Sequence, residues 1–128
     1  MTPAVRLADY VDHVADASAQ ACAYVAGMDK AAFLADRRTQ QAVILNLMVL
    51  GEAAARLLAE HPDFVAQHPQ VPWRNIKGMR NRIAHGYFEL NLDVVWETVQ
   101  SALPELVRQM PVICASAAAL QLPPGADA

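Results

Sequence analysis

A long apolar segment in the middle of the chain constrains the fold more than any other feature. From Ala42 to Leu58, hydrophobic residues occupy positions almost all around a helical wheel. A helix of this kind has to be buried on more than one side. The segment therefore predicts either the central helix of a bundle or a helix that is partly covered by another chain.

The helix that contains this segment is predicted to run from Arg37 to Glu60. Asp36 is placed to cap its start, because aspartate is a preferred N-cap residue, and Pro62 follows its end. Its longest apolar stretch, Ala42 to Leu50, is shorter than the about 20 residues that a membrane span needs. We therefore expect no membrane association.

Most of the remaining chain also follows a helical period. The predicted helices are Pro3 to Ala26, a short helix from Asp29 to Ala35 capped by Asp29, Trp73 to about His85, Leu92 to Met110, and a last segment from Pro111 to Leu120. Gly27 and Gly86 are the predicted stops of the first and third long helices, and Pro104 predicts a kink or break. Three prolines make His61 to Pro72 a predicted loop, serving as a lid or a connection.

These patterns predict an all-α, up-and-down helical bundle. Hydrophobic residues make up 55% of the 128 positions, so a packed core is expected rather than disorder. We expect one domain at residues 1–120 and a flexible tail at residues 121–128. The sequence shows no strand alternation, internal repeat or glycine-rich phosphate loop.

Charge and cysteine content narrow the classes of function. A net charge of −3 argues against a protein that coats nucleic acid nonspecifically, because such proteins are usually basic. Cys22 and Cys114 form no C-x-x-C pair, which favours a reduced, cytoplasmic setting. Asp9 and Asp12 occupy the place of a signal peptide's apolar region, so secretion is not expected.

The residues Met79 to Tyr87, M-R-N-R-I-A-H-G-Y, place Arg80, His85 and Tyr87 in the spacing R-x4-H-x-Y. An arginine binds phosphate through a planar, permanently charged fork. A histidine is the side chain that titrates near neutral pH, and a tyrosine adds a hydroxyl. No structural requirement asks for this combination, which predicts a phosphodiester or nucleotide site without a metal ion.

Helix geometry restricts how this motif can work. In a regular helix Arg80 and Tyr87 lie about 20° apart, whereas Arg80 and His85 lie about 140° apart. A straight helix would therefore not direct Arg80 and His85 of one chain at one atom. Either the helix unwinds before His85, which Gly86 permits, or a second chain supplies the partner group. Both alternatives favour a site at a helix end that faces a two-fold axis.

The other polar and aromatic residues have structural explanations that compete with functional ones. Four basic residues lie within nine consecutive positions: Arg74, Lys77, Arg80 and Arg82. They fit either a phosphate site or a solvated helix face. Glu52 and Arg56 form an i,i+4 ion pair at its simplest, although Glu52 has the alternative of reaching the site. Core packing is the preferred interpretation of Trp73 and Trp96. Arg37 and Arg38 either extend the basic surface or are solvated. Three histidines lack metal-ligand spacing and are expected at the surface or in loops: His13, His61 and His68.

The motif and its flanks carry a family resemblance. R-N-x3-H-G-Y, followed by L-D-V-V-W-E-T-V, is similar to the minimal HEPN proteins of the HepT type, the toxin halves of bacterial toxin–antitoxin pairs. Three further segments resemble the same family: D-R-R-T-Q-Q-A-V-I-L-N-L at residues 36–47, G-E-A-A at residues 51–54, and H-P-Q-V-P-W-R-N-I-K-G-M-R at residues 68–80. The resemblance covers residues 3–110.

This resemblance implies a HEPN four- or five-helix bundle that forms a homodimer, with paired motifs meeting at the interface. It implies a metal-independent endoribonuclease in which Arg80 and His85 are catalytic and the RNA 2′-hydroxyl is the nucleophile. The residues expected to bind substrate or support the site are Asn81, Tyr87, Lys77, Arg82 and Glu52. No cofactor is expected.

The resemblance also implies a mode of control. Tyr87 becomes a candidate acceptor of AMP from a cognate minimal nucleotidyltransferase, the antitoxin, whose transfer would block RNA by bulk and negative charge. Two alternatives stay open. One is a noncatalytic nucleotide- or partner-binding helical module in which Arg80 and Lys77 grip a phosphate. The other is a structural dimeric adaptor, which would not need the R-x4-H-x-Y residues.

Overall fold

The computed structural model describes the backbone of residues 3–120 and the side chains of residues 7–120, and this part of the chain contains helices and no strand. The helices are α1 (Pro3–Tyr24), α2 (Lys30–Leu34), α3 (Arg37–Glu60), α4 (Pro62–Ala66), α5 (Trp73–Gly86), α6 (Leu92–Glu97) and α7 (Leu103–Leu120). A 3-10 turn, Tyr87–Glu89, follows α5, and a π-helical segment, Thr98–Ala102, precedes α7. The predicted all-α class is confirmed. The predicted tail at residues 121–128 lies outside the described residues.

Helix α3 is the central helix, as its apolar composition predicted. It packs between α1 and α5, and α1 in turn packs against α7. Its length and composition would also suffice to cross a bilayer, but its buried face is part of the bundle core. Leu47, Leu50 and Leu57 of α3 are each 2% exposed or less, so removal of their apolar surface from water stabilises this arrangement.

The start of α3 confirms the predicted cap. The Thr39 backbone N–H and hydroxyl both donate to the Asp36 carboxylate, at 3.1 Å and 2.7 Å. These hydrogen bonds satisfy a donor that the first turn of a helix leaves unpaired. Asp29 caps α2 in the same way by accepting from the Ala32 N–H at 2.8 Å.

The Asp36 cap makes a pH-dependent contribution to stability. Hydrogen bonds from the Thr39 side chain and backbone lower the pKa of Asp36 below its ordinary 3.8. A lowered folded-state pKa stabilises the fold above the unfolded pKa, and this stabilisation disappears as the pH falls through the folded value. Asp36→Ala should therefore lower the melting temperature at pH 7, and its difference from wild type should shrink below about pH 3.8. Melting curves from circular dichroism across pH 2–7 test this, and a difference independent of pH would contradict it.

The segment between α3 and α5 corrects one prediction. Residues 61–72 were expected to form a loop without periodicity, yet they contain α4, which begins at Pro62. Phe64 and Val71 are both 3% exposed, so the segment is anchored in the core and does not have the character of a lid. His68 was expected at the surface or in a loop, and it lies in the loop between α4 and α5 but is buried. Its ring lies 4.6 Å from that of Phe64, and its carbonyl accepts from the indole N–H of Trp73 at 3.0 Å.

The positions at which the C-terminal helical region is interrupted differ from those predicted. Pro104 was expected to kink or break a helix at residues 92–110, and the π-helical segment Thr98–Ala102 lies immediately N-terminal to it. Pro111 was expected to begin a separate segment, but α7 continues through it. The buried side chains of Met110 and Ile113 on either side of Pro111 hold the helix in place, which compensates for the one lost hydrogen bond.

Several smaller predictions are confirmed. Gly27 has a positive φ of 80°, the left-handed conformation that glycine adopts readily, although α1 ends slightly earlier than predicted. Trp73 and Trp96 are buried core residues. Cys22 and Cys114 are free and partly buried, and burial raises the pKa of both thiols.

Candidate active site

Helices α3 and α5 approach each other closely at Gly51. A Cβ atom built on Gly51 would lie 2.2 Å from the Cβ of Arg80 and 3.1 Å from the carbonyl oxygen of Ile76. No side chain fits there, so only glycine permits α5 to lie this close. Glycine at position 51 therefore allows Arg80 of α5 to lie directly against α3.

The Arg80 guanidinium lies beside a carboxylate from α3. Its Nη2 is 3.6 Å from Oε2 of Glu52, while the Nε–H of Arg56 donates to Oε1 of the same carboxylate at 3.2 Å. Glu52 thus forms the predicted i,i+4 ion pair with Arg56 and also lies within ion-pair distance of Arg80. The hydrogen bond from Arg56 to Glu52 raises the pKa of Arg56.

Arg80 retains binding capacity in this arrangement. Its side chain is 25% exposed, and its buried Nε–H has no hydrogen-bond partner among the described residues. A guanidinium carries five N–H donors in a planar fork, and one glutamate at 3.6 Å occupies few of them. The remaining donors suit a phosphate oxygen.

His85 lies on a different side of α5. The helix continues without interruption through Gly86, so Arg80 and His85 remain about 140° apart around the axis. The prediction that the helix unwinds before His85 is therefore wrong. Gly86 has a φ of −145°, which is not the left-handed conformation. The helix ends at Gly86, and a 3-10 turn begins at the next residue. His85 is exposed.

The residues around the motif divide between two flanks of α5. Lys77 is exposed and lies about 60° from Arg80 on the same helix, and Asn81 is half-buried one residue further along. Arg82 is on the opposite flank, where its Nη2 is 3.9 Å from the sulfur of Met79. It lines an apolar groove of about 420 Å³ together with residues of α3 and α7. The structure therefore does not bring Arg82 to Arg80.

Tyr87 begins the 3-10 turn and is 47% exposed. It lies in the wall of a cavity formed with the start of α3, together with Phe88, whose side chain is 100% exposed. The two rings are nearly perpendicular, with centroids 6.0 Å apart. Phe88 was not among the residues predicted from the sequence, although an aromatic residue directly after a polar motif is a recognisable signal.

One face of α3 remains uncovered next to Arg80. Leu45 and Val49 are 64% and 40% exposed. Their spacing places them on the same face as Glu52 and Arg56, between the neighbouring helices α1 and α5. The central helix is thus buried by the bundle on one side and carries an exposed apolar stripe on the other, so the first alternative drawn from its composition applies and the second, a face covered by another chain, stays a prediction.

Within residues 7–120 no three histidine, cysteine, aspartate or glutamate side chains are grouped closely enough to hold an ion. Next to the motif, the fold brings Arg80, Glu52 and Arg56 together. The guanidinium donors that Glu52 does not occupy can bind an anion.

Comparisons with known proteins agree on one family. A family described as Ribonuclease HepT-like matches residues 14–113. The chain is 35% identical over 98 residues to a Thermococcus cleftensis protein named probable ribonuclease HepT, covering 77% of this chain and 86% of that protein. It is 33% identical over 101 residues to a protein of Caldanaerobacter subterraneus subsp. tengcongensis named as a candidate RNase, covering 79% and 88% of the two chains.

A third relative is covered less completely. A Methanocaldococcus jannaschii protein, also named as a candidate RNase, is 37% identical over 78 residues, which is 61% of this chain and 62% of that protein. This chain thus spans less than two thirds of that relative. No solved structure gives a significant match.

Proposed function

This chain belongs to the HepT-like ribonuclease family, and on that premise we propose that it is an endoribonuclease that cleaves RNA without a metal ion. The observation that carries the proposal is the position of Arg80, held against α3 by the close approach at Gly51 and beside Glu52. A nuclease that uses the RNA 2′-hydroxyl as its nucleophile needs charge stabilisation at phosphate and a proton-transfer group. Arg80 and His85 supply these two functions.

The proposed reaction begins with attack of the 2′-hydroxyl oxygen on the adjacent phosphorus, which breaks the bond to the 5′-oxygen of the next nucleotide. His85 takes the 2′-hydroxyl proton or delivers a proton to the leaving oxygen, a function worth about 10² to 10⁴ in rate. Arg80 stabilises the negative charge that builds up on the phosphate oxygens. Lys77 and Asn81, which lie between Arg80 and His85 around the axis of α5, orient the RNA backbone.

We further propose that the complete site forms between two copies of the chain. Arg80 and His85 lie about 140° apart on an uninterrupted helix, so a second copy is the simplest source of the missing partner. The exposed Leu45 and Val49 next to Arg80 supply apolar surface for such a contact. Surface of this kind supports a two-fold interface in which the same stripe meets itself.

The cellular role proposed on this basis is that of a cytoplasmic toxin. Its partner would be a cognate minimal nucleotidyltransferase antitoxin that transfers AMP to Tyr87. The half-exposed Tyr87 ring supports this proposal, because a transferase has access to it. A mass increase by AMP after incubation with the partner and ATP, absent in Tyr87→Phe, is the expected result.

The direct test of the proposed activity uses labelled RNA and purified protein whose intact mass shows no added AMP. Excess chelator is present throughout. The proposal expects cleavage by wild type and none by His85→Ala with an unchanged melting curve. Nucleotide binding without cleavage by a dimeric wild type would contradict it and favour the noncatalytic binding module.

Glu52 is expected to act as a positioning residue for Arg80. Glu52→Gln removes the negative charge but keeps the size of the side chain, so kcat/KM for RNA should fall roughly 1.5- to 5-fold, the range of an exposed ion pair. Glu105→Gln is the matched control, because Glu105 pairs with Arg108 on α7. Equal losses in the two variants, or none in Glu52→Gln, would remove Glu52 from the site.

A further inference from the structure

A cavity of about 450 Å³ lies next to the motif, between the start of α3 and the 3-10 turn. Its volume falls within the range of about 300–1,000 Å³ that is typical of small-molecule sites. Tyr87 and Phe88 form one side and Arg37 and Gln40 the other, with Ile44 among the apolar residues between them. The R-x4-H-x-Y motif therefore ends in the wall of a cavity.

The aromatic side of this cavity offers an unpartnered ring. Phe88 is 100% exposed and Tyr87 stands nearly perpendicular to it, so both faces of the Phe88 ring are open to a flat ligand. Exposure of a whole phenylalanine side chain to water is unfavourable. Stacking of a nucleobase on such a ring is the usual means by which proteins hold single-stranded RNA.

The polar side carries an oriented acceptor. The Gln40 side-chain N–H groups donate to the carbonyl oxygens of Phe33 and Leu34 at 2.9 Å and 3.0 Å. Because the nitrogen must face these two carbonyls, the orientation of the amide is determined. Its Oε1 atom has no hydrogen-bond partner among the described residues and is free to accept from an amino group.

The charge of the cavity suits a nucleotide. Arg37 lines it, and no ion pair of Arg37 occurs within the described residues, whereas no aspartate or glutamate contributes to the lining. The nearby Asp36 carboxylate is engaged by Thr39. The cavity thus combines a cation for phosphate, a fixed acceptor and an aromatic platform.

We propose that this cavity binds one nucleotide of the RNA substrate. The base stacks on Phe88, Arg37 binds the phosphate of that nucleotide, and Gln40 Oε1 accepts from an exocyclic amino group. Adenine, cytosine and guanine carry such a group and uracil does not, so uracil binds most weakly. The proposal rests on the proposed ribonuclease function, and it adds a base preference to it.

The test measures binding of 2′-O-methyl tetranucleotides, which resist cleavage, with A, C or U throughout. Phe88→Ala should weaken binding of all three about 5- to 150-fold, the effect of losing one stacked base. Arg37→Gln should weaken all three and reduce the salt dependence. The controls are Tyr24→Ala, another exposed aromatic residue, at the end of α1, and Arg38→Gln, the arginine adjacent to Arg37. Neither Tyr24 nor Arg38 lines the cavity.

Wild-type affinity in Phe88→Ala, equal losses in the controls, or U binding as tightly as A and C would each overturn the proposal. Sedimentation of each variant tests the other possible occupant of the cavity, which is a second copy of the chain. If Phe88→Ala loses affinity only because the dimer dissociates, the cavity is covered by that second copy. Cleavage of unmodified RNA is measured in parallel. Failure to cleave with the binding pattern intact would contradict the ribonuclease function alone, and cleavage with no effect of Phe88→Ala or Arg37→Gln would contradict the nucleotide site alone.

Discussion

Mixing Arg80→Ala subunits with His85→Ala subunits is expected to restore RNA cleavage that neither variant shows alone. The reason is the uninterrupted α5, which keeps Arg80 and His85 of one chain about 140° apart. If each site takes its arginine from one copy and its histidine from the other, a mixed dimer contains one site with both residues intact. Its second site lacks both.

The size of the effect follows from counting sites. After subunit exchange half of the dimers are mixed and each has one intact site of two, so about a quarter of wild-type activity is expected for a two-fold dimer. Each variant alone should lose about 10²-fold or more in rate. The control mixes His85→Ala subunits with subunits that carry both Arg80→Ala and His85→Ala. This mixture can form no intact site. No recovery in the first mixture, with exchange demonstrated by mass spectrometry, would place both residues of a site on one chain.

Gly51→Ala is expected to impair both folding and cleavage. Its new Cβ would lie 2.2 Å from the Arg80 Cβ and 3.1 Å from the Ile76 carbonyl oxygen, so α5 has to move away from α3. Overpacking of this kind costs about 1–3 kcal/mol of unfolding free energy. A displacement of Arg80 by about 1 Å should lower kcat/KM by about 100-fold. Denaturant unfolding and RNA cleavage measure the two effects.

Gly78→Ala is the matched control for this prediction. Gly78 lies within α5, and a Cβ there meets only Arg82 Nη1 at an ordinary 3.7 Å. Replacement of a helical glycine by alanine without a clash stabilises a helix by about 0.5–1 kcal/mol. The two glycine substitutions should therefore change stability in opposite directions. Stabilisation by both would show that the contact at Gly51 is not tight.

Features that depend on residues close together in the chain were predicted more accurately than features that depend on residues far apart in it. The bounds of α3 and the caps at Asp29 and Asp36 were predicted correctly, because a cap depends on residues within one turn. The burial of Trp73 and Trp96 followed from their apolar surface. Residues 61–72 were misjudged, since three prolines obscured the short helix whose Phe64 is anchored in the core.

The candidate site shows the same division. The spacing of Arg80, His85 and Tyr87 identified the motif, and wheel geometry showed that one straight helix cannot unite its residues. The role of Gly51 could not be predicted, because it depends on which residue of α5 crosses α3 at that level. The exposure of Phe88 likewise depends on the turn that follows α5.

The helical character of the chain and the starts of its long helices could be predicted from the amino-acid sequence alone. These properties depend on local hydrogen bonding and on the periodicity of apolar side chains. The packing of the helices was needed to show that Glu52 lies beside Arg80, that Arg82 lies on the opposite flank, and that an apolar stripe stays exposed on α3. Those outcomes depend on the rotation and separation of two packed helices, which contacts between residues far apart in the chain determine.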